Sequence, residues 1–456
     1  MKFFFSLARV LIIIIGSLMV AHTASAQIWT AQNTGISSFI FPIKAVDKNT
    51  VWAGSENGIY LRTTDGGTNW TSGTVPGAES INFLSIAAID SDTAYFAGGS
   101  FSAIDTRIYK TTDGGVSWKL QYRNTSAAAF INSIAFWDET HGIAVSDPVD
   151  GTFVILTTTN GGANWIQTPA ANIPPPLSGE FAGFGDGGGT PLAVAGSRHA
   201  WFGTGYGIVS NAPIRVFRST DQGQTWTVAN TALANDGQFH GISSMAFKDT
   251  LTGFAGGLGT ANTGNTLATT TDGGRTWTNV SNFVQTQSQV RTLVYVPNTA
   301  FQVLVATTLG GIVYSEDGGT TWMSLSSDVF VGLSFVSPTI GWAGDPNGVI
   351  AKFNGDLSTA VAERRFNLPY NFSLSQNYPN PFNPSTTISF FLPSSQLVTL
   401  KVYDPYGREV ETLMRGRIAA GSYEISFDGS KLTSGIYLYR LQAGEYVETK
   451  KMILVK

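Results

Sequence analysis

Carboxylates and arginines recur in the short polar stretches that interrupt a long, apolar, glycine-rich chain, and their types define the chemistry on offer. Asp147, Glu180 and Asp345 are the acids that would serve as an acid and base pair. Two carboxylates facing one pocket at about 5–10 Å are what glycoside hydrolysis requires. Glu56, Asp105, Arg107, Asp147, Asp150, Phe181, Phe184, Tyr206, Arg215, His240, Arg291 and Asp345 form a wider set suited to holding a ligand by charge, hydrogen bonds and aromatic cover. Asp147-Pro148-Val149-Asp150-Gly151 offers two carboxylates and several carbonyls to Ca²⁺, yet a lone loop of this kind reads first as a turn. Gly183-Phe184-Gly185-Asp186-Gly187 opens no helix and lacks a following lysine, so it is not a phosphate cradle. His22, His141, His199 and His240 are scattered, and no metal or other cofactor is expected.

These residues are positioned by a repeat. Six times the chain writes Ser or Thr, then Asp or Asn two places on, then Gly and finally Trp, beginning with Thr63-Thr64-Asp65-Gly66-Gly67-Thr68-Asn69-Trp70. Asp65, Asp113, Asn160, Asp221, Asp272 and Asp317 are separated by 48, 47, 61, 51 and 45 residues. Each leads to a tryptophan: Trp70, Trp118, Trp165, Trp226, Trp277 and Trp322. Each unit has room for four short strands, as at 131–137, 142–145 and 153–157 before the third box, and that is the blade of a β-propeller. Within the box the acidic side chain accepts backbone N–H bonds and glycine supplies positive φ. A buried tryptophan contributes on the order of 4 kcal/mol. If the boxes join the outer strands on one rim, the candidate residues above lie on the opposite rim.

The ends of the repeat set the count. After the sixth box, 329–335, 340–344 and 349–353 supply three strands with no box, while Ile28-Trp29-Thr30-Ala31-Gln32-Asn33-Thr34-Gly35 resembles the segment that follows one. The expected fold is therefore all-β, a seven-bladed β-propeller over 27–355 whose N-terminal strand closes the last blade. A linker at 356–371 precedes a small immunoglobulin-like β-sandwich at 372–456, marked by short alternating runs and by turns such as Asp404-Pro405-Tyr406-Gly407.

Composition limits function and address. The 456 residues carry a net charge of -4, 13% charged residues and 51 glycines, which suits a turn-rich β protein and gives no footprint for nucleic acid. Residues 1–26 read as a signal peptide. Lys2 and Arg9 precede an apolar run, and Ala24-Ser25-Ala26 offers signal peptidase its small residues. No later segment is long and apolar enough to span a bilayer, so no transmembrane segment is expected in the mature chain. Cysteine is absent, which excludes thiol chemistry and a disulfide framework.

The boxes resemble the Asp-box (BNR) repeats of sialidases, sortilin-type receptors and photosystem II stability/assembly factor-like propellers. Ala135-Phe136-Trp137-Asp138 and His199-Ala200-Trp201-Phe202-Gly203-Thr204-Gly205 agree best with the last group. That resemblance implies a fold more than an activity. The arginine motif of a sialidase's first blade is missing, since Phe39-Ile40-Phe41-Pro42 contains no arginine. Arg62, Lys110 and Arg218 recur three residues before the acidic position, at equivalent places in their blades, and form no converging cluster. The last part of the chain resembles the type A C-terminal sorting domain of the type IX secretion system, through Tyr378-Pro379-Asn380-Pro381-Phe382-Asn383-Pro384, Gly435-Ile436-Tyr437 and a final strand flanked by Lys450, Lys451 and Lys456. It implies export through the periplasm by that translocon to the medium or the outer cell surface. The expected function is a secreted or surface propeller that binds a protein or glycan. An extracellular glycoside hydrolase using rim carboxylates is one alternative, and a photosystem II assembly factor-like chaperone is another.

Overall fold

The computed structural model describes residues 28–456 apart from 101–104, 127–128, 184–188, 208–211, 234–239, 259–265, 282, 284–288, 301, 359–372, 393–395, 419–420 and 445. Among these residues the regular elements are strands, with a single 3-10 turn at Ala170–Asn172. Each of four repeats is a separate antiparallel sheet in chain order. The first is Ile40–Ala45, Val51–Ser55, Ile59–Thr63 and Thr71–Thr74. The second strands, such as Val51–Ser55 and Ala94–Gly99, are buried at every position. Their runs of small and aromatic residues suit a strand covered on both faces.

The fourth and fifth repeats depart from this plan. Glu180–Ala182 and Leu192–Ala195 both pair with one long strand, His199–Tyr206, and the far end of that strand also pairs with His240–Phe247. The result is one nine-stranded sheet. The stretch between the third box and the fourth repeat, which contains Pro174-Pro175-Pro176, thus inserts a strand of its own at Glu180–Ala182.

After the sixth repeat, Gly332–Ser337, Ile340–Gly344 and Ile350–Phe353 form a sheet completed by Trp29–Gln32, with Trp29 opposite Phe353 and Gln32 opposite Ile350. Trp29 is buried, its ring centroid 5.3 Å from Phe330 and 5.1 Å from Phe353. Apolar clusters join each sheet to the next in chain order, and Ile43, Ala53 and Leu61 of the first sheet share one with Trp342 and Ile350 of the closing sheet. The ring is closed by packing as well as by pairing. Leu357 is buried in the closing cluster, and its N–H bonds Pro338 O at 3.0 Å, so ordered contacts run slightly past the expected boundary at 355.

The C-terminal part is a sandwich. One sheet contains Ser373–Leu374, Ser385–Leu392 and Gly421–Asp428; the other contains Glu409–Ile418, Gln396–Tyr403, Gly435–Ala443 and Tyr446–Leu454 in spatial order. Alternation is strict in Ser385–Leu392, whose Thr386, Ile388, Phe390 and Leu392 face the core. The proline-rich opening is tied to the final strand: Phe382 N–H donates to Ile453 O at 2.9 Å, Val455 N–H to Phe382 O at 3.0 Å, and Ile453 N–H to Asn380 Oδ1 at 2.9 Å.

Candidate functional site

Loops joining second to third strands meet the segments entering the next blade, and this rim holds most of the candidate residues. Gly58 N–H, for example, donates to Ile81 O at 2.7 Å. Asp105 is buried at the start of a third strand and bonds Arg107 Nη2, with Arg123 Nε at 3.0 Å and Nη2 at 2.9 Å. Arg107 also bonds Gly77 O and Tyr109 Oη. The Arg107 bond, followed by that of Arg123, holds the Asp105 carboxyl below the usual range against the cost of burial. It is a closed ion cluster.

Glu180 is more completely enclosed. Its side chain is fully buried, with Oε1 accepting from Thr204 Oγ1 at 2.6 Å and Arg215 Nε at 2.8 Å, while Oε2 accepts from Leu177 N–H at 2.8 Å and from Arg215 Nη2. Arg215 Nη2 also reaches Pro175 O at 3.0 Å. Both oxygens are committed to holding the insertion on its sheet, so Glu180 has no lone pair left for a substrate proton. Tyr206 is buried beside it and donates to Pro213 O at 3.2 Å; burial and then the Glu180 charge push its phenol up to about 12.

Asp147 is the acid with an altered proton affinity. Its Oδ1 accepts from Asn132 Nδ2 at 2.8 Å and Ala182 N–H at 3.0 Å, and burial raises its pKa to about 7 despite those bonds. Through Ala182 it is tied to the strand that carries Glu180. Asp345 accepts from Asn347 N–H and Val349 N–H, both at 2.8 Å, and shapes its own turn. Asp150, at φ 50°, and Gly151, at φ 77°, are the two-residue turn between Val149 and Thr152, which accounts for both residues without a cation.

The remaining candidates divide by burial. Glu56 is half-buried in the turn before Gly58, His240 is buried opposite Tyr206, Arg291 is half-buried on an inner strand and Phe181 is half-buried between Glu180 and Ala182. Phe184 lies outside the described residues. Among the described residues no group of three His, Asp or Glu side chains is placed to hold a metal ion.

On the other rim the boxes repeat one geometry. In the first, Asp65 Oδ1 accepts from Asn69 N–H at 2.9 Å and Thr63 Oγ1 at 2.9 Å, and Thr63 Oγ1 accepts from Gly67 N–H at 3.0 Å. Gly66 N–H then docks on Asn49 O at 2.9 Å. In the fourth box Gln222 stands where the others have glycine, takes φ 59° and makes the equivalent bond to Arg198 O at 2.9 Å.

The cations at one place in the third strands have a role that linear reading missed. Lys352 Nζ reaches Gly66 O at 2.7 Å, Arg62 Nη1 reaches Gly114 O at 3.2 Å and Lys110 Nζ reaches Gly161 O at 2.8 Å, each bonding the box of the next sheet. Each also lies over the aromatic residue paired with it across the strand: Trp342 at 5.4 Å, Trp52 at 5.2 Å and Tyr95 at 4.9 Å. For Arg62 and Lys110 the signal was visible as a cation three residues before the acidic position of a box and an aromatic in the second strand; Lys352 holds the same place in the boxless closing sheet. Its meaning required the ring.

In the sandwich, Gly435, Ile436 and Tyr437 begin the strand beside the last one, with Tyr437 buried and Ile436 exposed. Lys450 and Lys451 lie on the last strand; Lys456 Nζ donates to Ser430 O at 2.7 Å and its N–H to Ser434 Oγ at 2.9 Å.

Residues 376–456 match the family described as secretion system C-terminal sorting domain, and residues 217–228 match the BNR/Asp-box repeat. No curated protein matches the chain. Among solved structures, one described as YCF48 bound to D1 peptide is 19% identical, covering 72% of this chain and 98% of its own at a TM-score of 0.52. YCF48 from Cyanidioschyzon merolae is 18% identical, covering 72% and 99% at a TM-score of 0.50. These likenesses show a shared propeller fold. The sorting domain indicates secretion or attachment at the cell surface, and no helix among the described residues is long and apolar enough to cross a membrane. The chain thus combines a β-propeller fold that carries an Asp-box repeat with a C-terminal segment that matches the secretion system sorting domains.

Proposed function

We propose that this protein is a seven-bladed, non-catalytic binding module for an extracellular protein or glycan, carried out of the cell by its C-terminal domain. The count takes the nine-stranded sheet as two blades fused through the pairing of Gly205 and Tyr206 with His240 and Gly241. The observation that favours binding over hydrolysis is the full engagement of Glu180, which leaves Asp147 without a partner acid beside it. A glycosidase needs two available carboxylates. The likeness to YCF48 structures carries a fold and no ligand.

The reading predicts retention of particular glycans or surface proteins by the purified exported chain, with no release of sugar from a panel of glycosides. Glycoside cleavage that disappears in Asp147→Asn would overturn it. Deletion of 432–456 is expected to leave the propeller in the periplasm, measured by cell fractionation and surface labelling; unchanged surface display would sink the assigned export route.

A further inference from the structure

An open cleft lies away from the candidate acids, between the second and third repeats on the box-bearing side. It encloses about 260 Å³ and is lined by Lys110, Lys119, Trp118, Gln121, Ser117 and Asn160, among others. Lys110 and Lys119 face each other across adjacent strands. Burial, followed by the Lys119 charge, lowers the Lys110 pKa.

Comparison with equivalent places in the ring shows how this charge arises. In the preceding cleft, Arg62 is neutralised by Asp92 at 3.2 Å and the neighbouring box carries Asp113. The residue equivalent to Asp92, identified by its carbonyl bond to the box glycine, is Thr140, and the box residue equivalent to Asp113 is Asn160. Lys119 takes the cross-strand place held by Thr30, Thr71, Thr227 and Thr278 in four other repeats. The place of Asp92 is also uncharged elsewhere, at Asn49, Leu251 and Gln302, so two changes particular to this cleft converge: the box acid becomes neutral at Asn160 and a neutral residue becomes cationic at Lys119. Of the acids close in sequence, Asp113 is committed to Thr111 and Ser117 and Asp138 to Thr140 and His141, while exposed Glu139 forms no ion pair with either lysine. Among the described residues no carboxylate pairs with Lys110 or Lys119.

Asn160 preserves the box, since its Oδ1 accepts from Asn164 N–H at 2.9 Å and Thr158 Oγ1 at 3.0 Å. The fold therefore does not require that the acid be lost here. We propose that this cleft binds an anionic saccharide through one carboxylated or sulfated sugar unit. The ammonium groups match the anion, the half-buried Trp118, packed on Trp52, Tyr60 and Phe96, lines the cleft with apolar surface, and Gln121 and Asn160 both donate and accept bonds as sugar hydroxyls do. The cleft is open and slightly smaller than the roughly 300 Å³ at the low end of small-molecule pockets, which suits one unit of a longer chain lying on the surface. This inference rests on the binding-module reading and gives that module its ligand class.

The test measures binding of a uronate oligosaccharide, a sulfated oligosaccharide, their neutral counterpart and an acidic peptide to the full exported chain by calorimetry. Lys119→Thr and Asn160→Asp install residues that other repeats use at the same places, so both variants should melt near the parent. Each is expected to weaken binding of the anionic sugar by about tenfold, Lys119→Thr by removing a charge-assisted bond and Asn160→Asp by placing a like charge beside the anion. The uronate and sulfate arms identify the anion. Anionic-sugar binding unaffected by either variant overturns the cleft while leaving the module intact, and so does preference for the neutral sugar or the peptide. Failure of every glycan and every surface protein to bind overturns the module itself.

Discussion

Ser85 and Ser133 occupy equivalent places at the bulges of consecutive inner strands, and their surroundings give them opposite energetic values. Ser85 Oγ accepts from Ile134 N–H at 3.0 Å, as Ser244 Oγ does from Leu293 N–H at 3.0 Å, stapling one inner strand to the next. Ser133 Oγ is buried without a bond, because the inner strand of the next repeat is divided between Glu180–Ala182 and Leu192–Ala195. Ser85→Ala should cost about 1–3 kcal/mol by orphaning a buried donor, whereas Ser133→Ala should be neutral or stabilising. Denaturant melts of the two variants decide this, and equal losses would refute it. Asp147 supplies a second test at this scale. Its folded pKa of about 7 lies above the unfolded value of roughly 3.9, so the folded state binds the extra proton. The stability from that proton is complete below pH ~4 and lost as pH rises through ~7. Asp147→Asn, which keeps an acceptor for Asn132 and Ala182, should flatten that dependence and raise the melting temperature at pH 8. A melting curve series that retains the parent's slope between pH 4 and 7 would refute the assignment.

At the scale of the element, the box is a turn whose side chain replaces missing backbone partners. Burial opposes ionisation of Asp272, but the Thr276 N–H and hydroxyl and the Thr270 hydroxyl outweigh it and bring its pKa to about 2. Asp65, Asp113, Asp221 and Asp317 are lowered by equivalent bonds. Because the folded values are depressed, the boxes' contribution is present above the unfolded pKa of ~3.9 and fades as pH falls toward ~2. Acid unfolding followed by circular dichroism should therefore steepen below pH ~4. Asp272→Asn, the chemistry already present in the third box, should soften that limb; an unchanged acid transition would show that the box carboxylates do not govern it.

At the scale of the molecule, a circular array needs its ends joined, and here the joint is four residues long, Trp29–Gln32 against Ile350–Phe353. Removing 28–35 exposes the edge of Ile350–Phe353 and deletes the Trp29 ring from its cluster with Phe330, Phe335 and Phe353. Deleting a buried tryptophan to nothing costs at least the roughly 3–5 kcal/mol of a core Trp→Ala change. The variant should melt well below the parent and be nicked rapidly by protease near 350–357. An unchanged melting temperature would refute closure by this strand.

The sequence by itself determined the repeat, the strand-rich fold, the address and the tail, because those features are local: a turn with its Asp and Gly, a period near 48 residues, an apolar leader and a proline-rich opening are each complete within a short stretch. Only the tertiary structure decided which acids were free. Glu180 and Asp147 look alike in the chain, yet Arg215, 35 residues from Glu180, closes on one and leaves the other with a raised pKa. The cationic cleft likewise became legible only when Asn160 and Lys119 could be placed in one ring and compared with their counterparts. Electrostatic balance is a sum over neighbours in space, and a repeat protein's neighbours are about one period away along the chain.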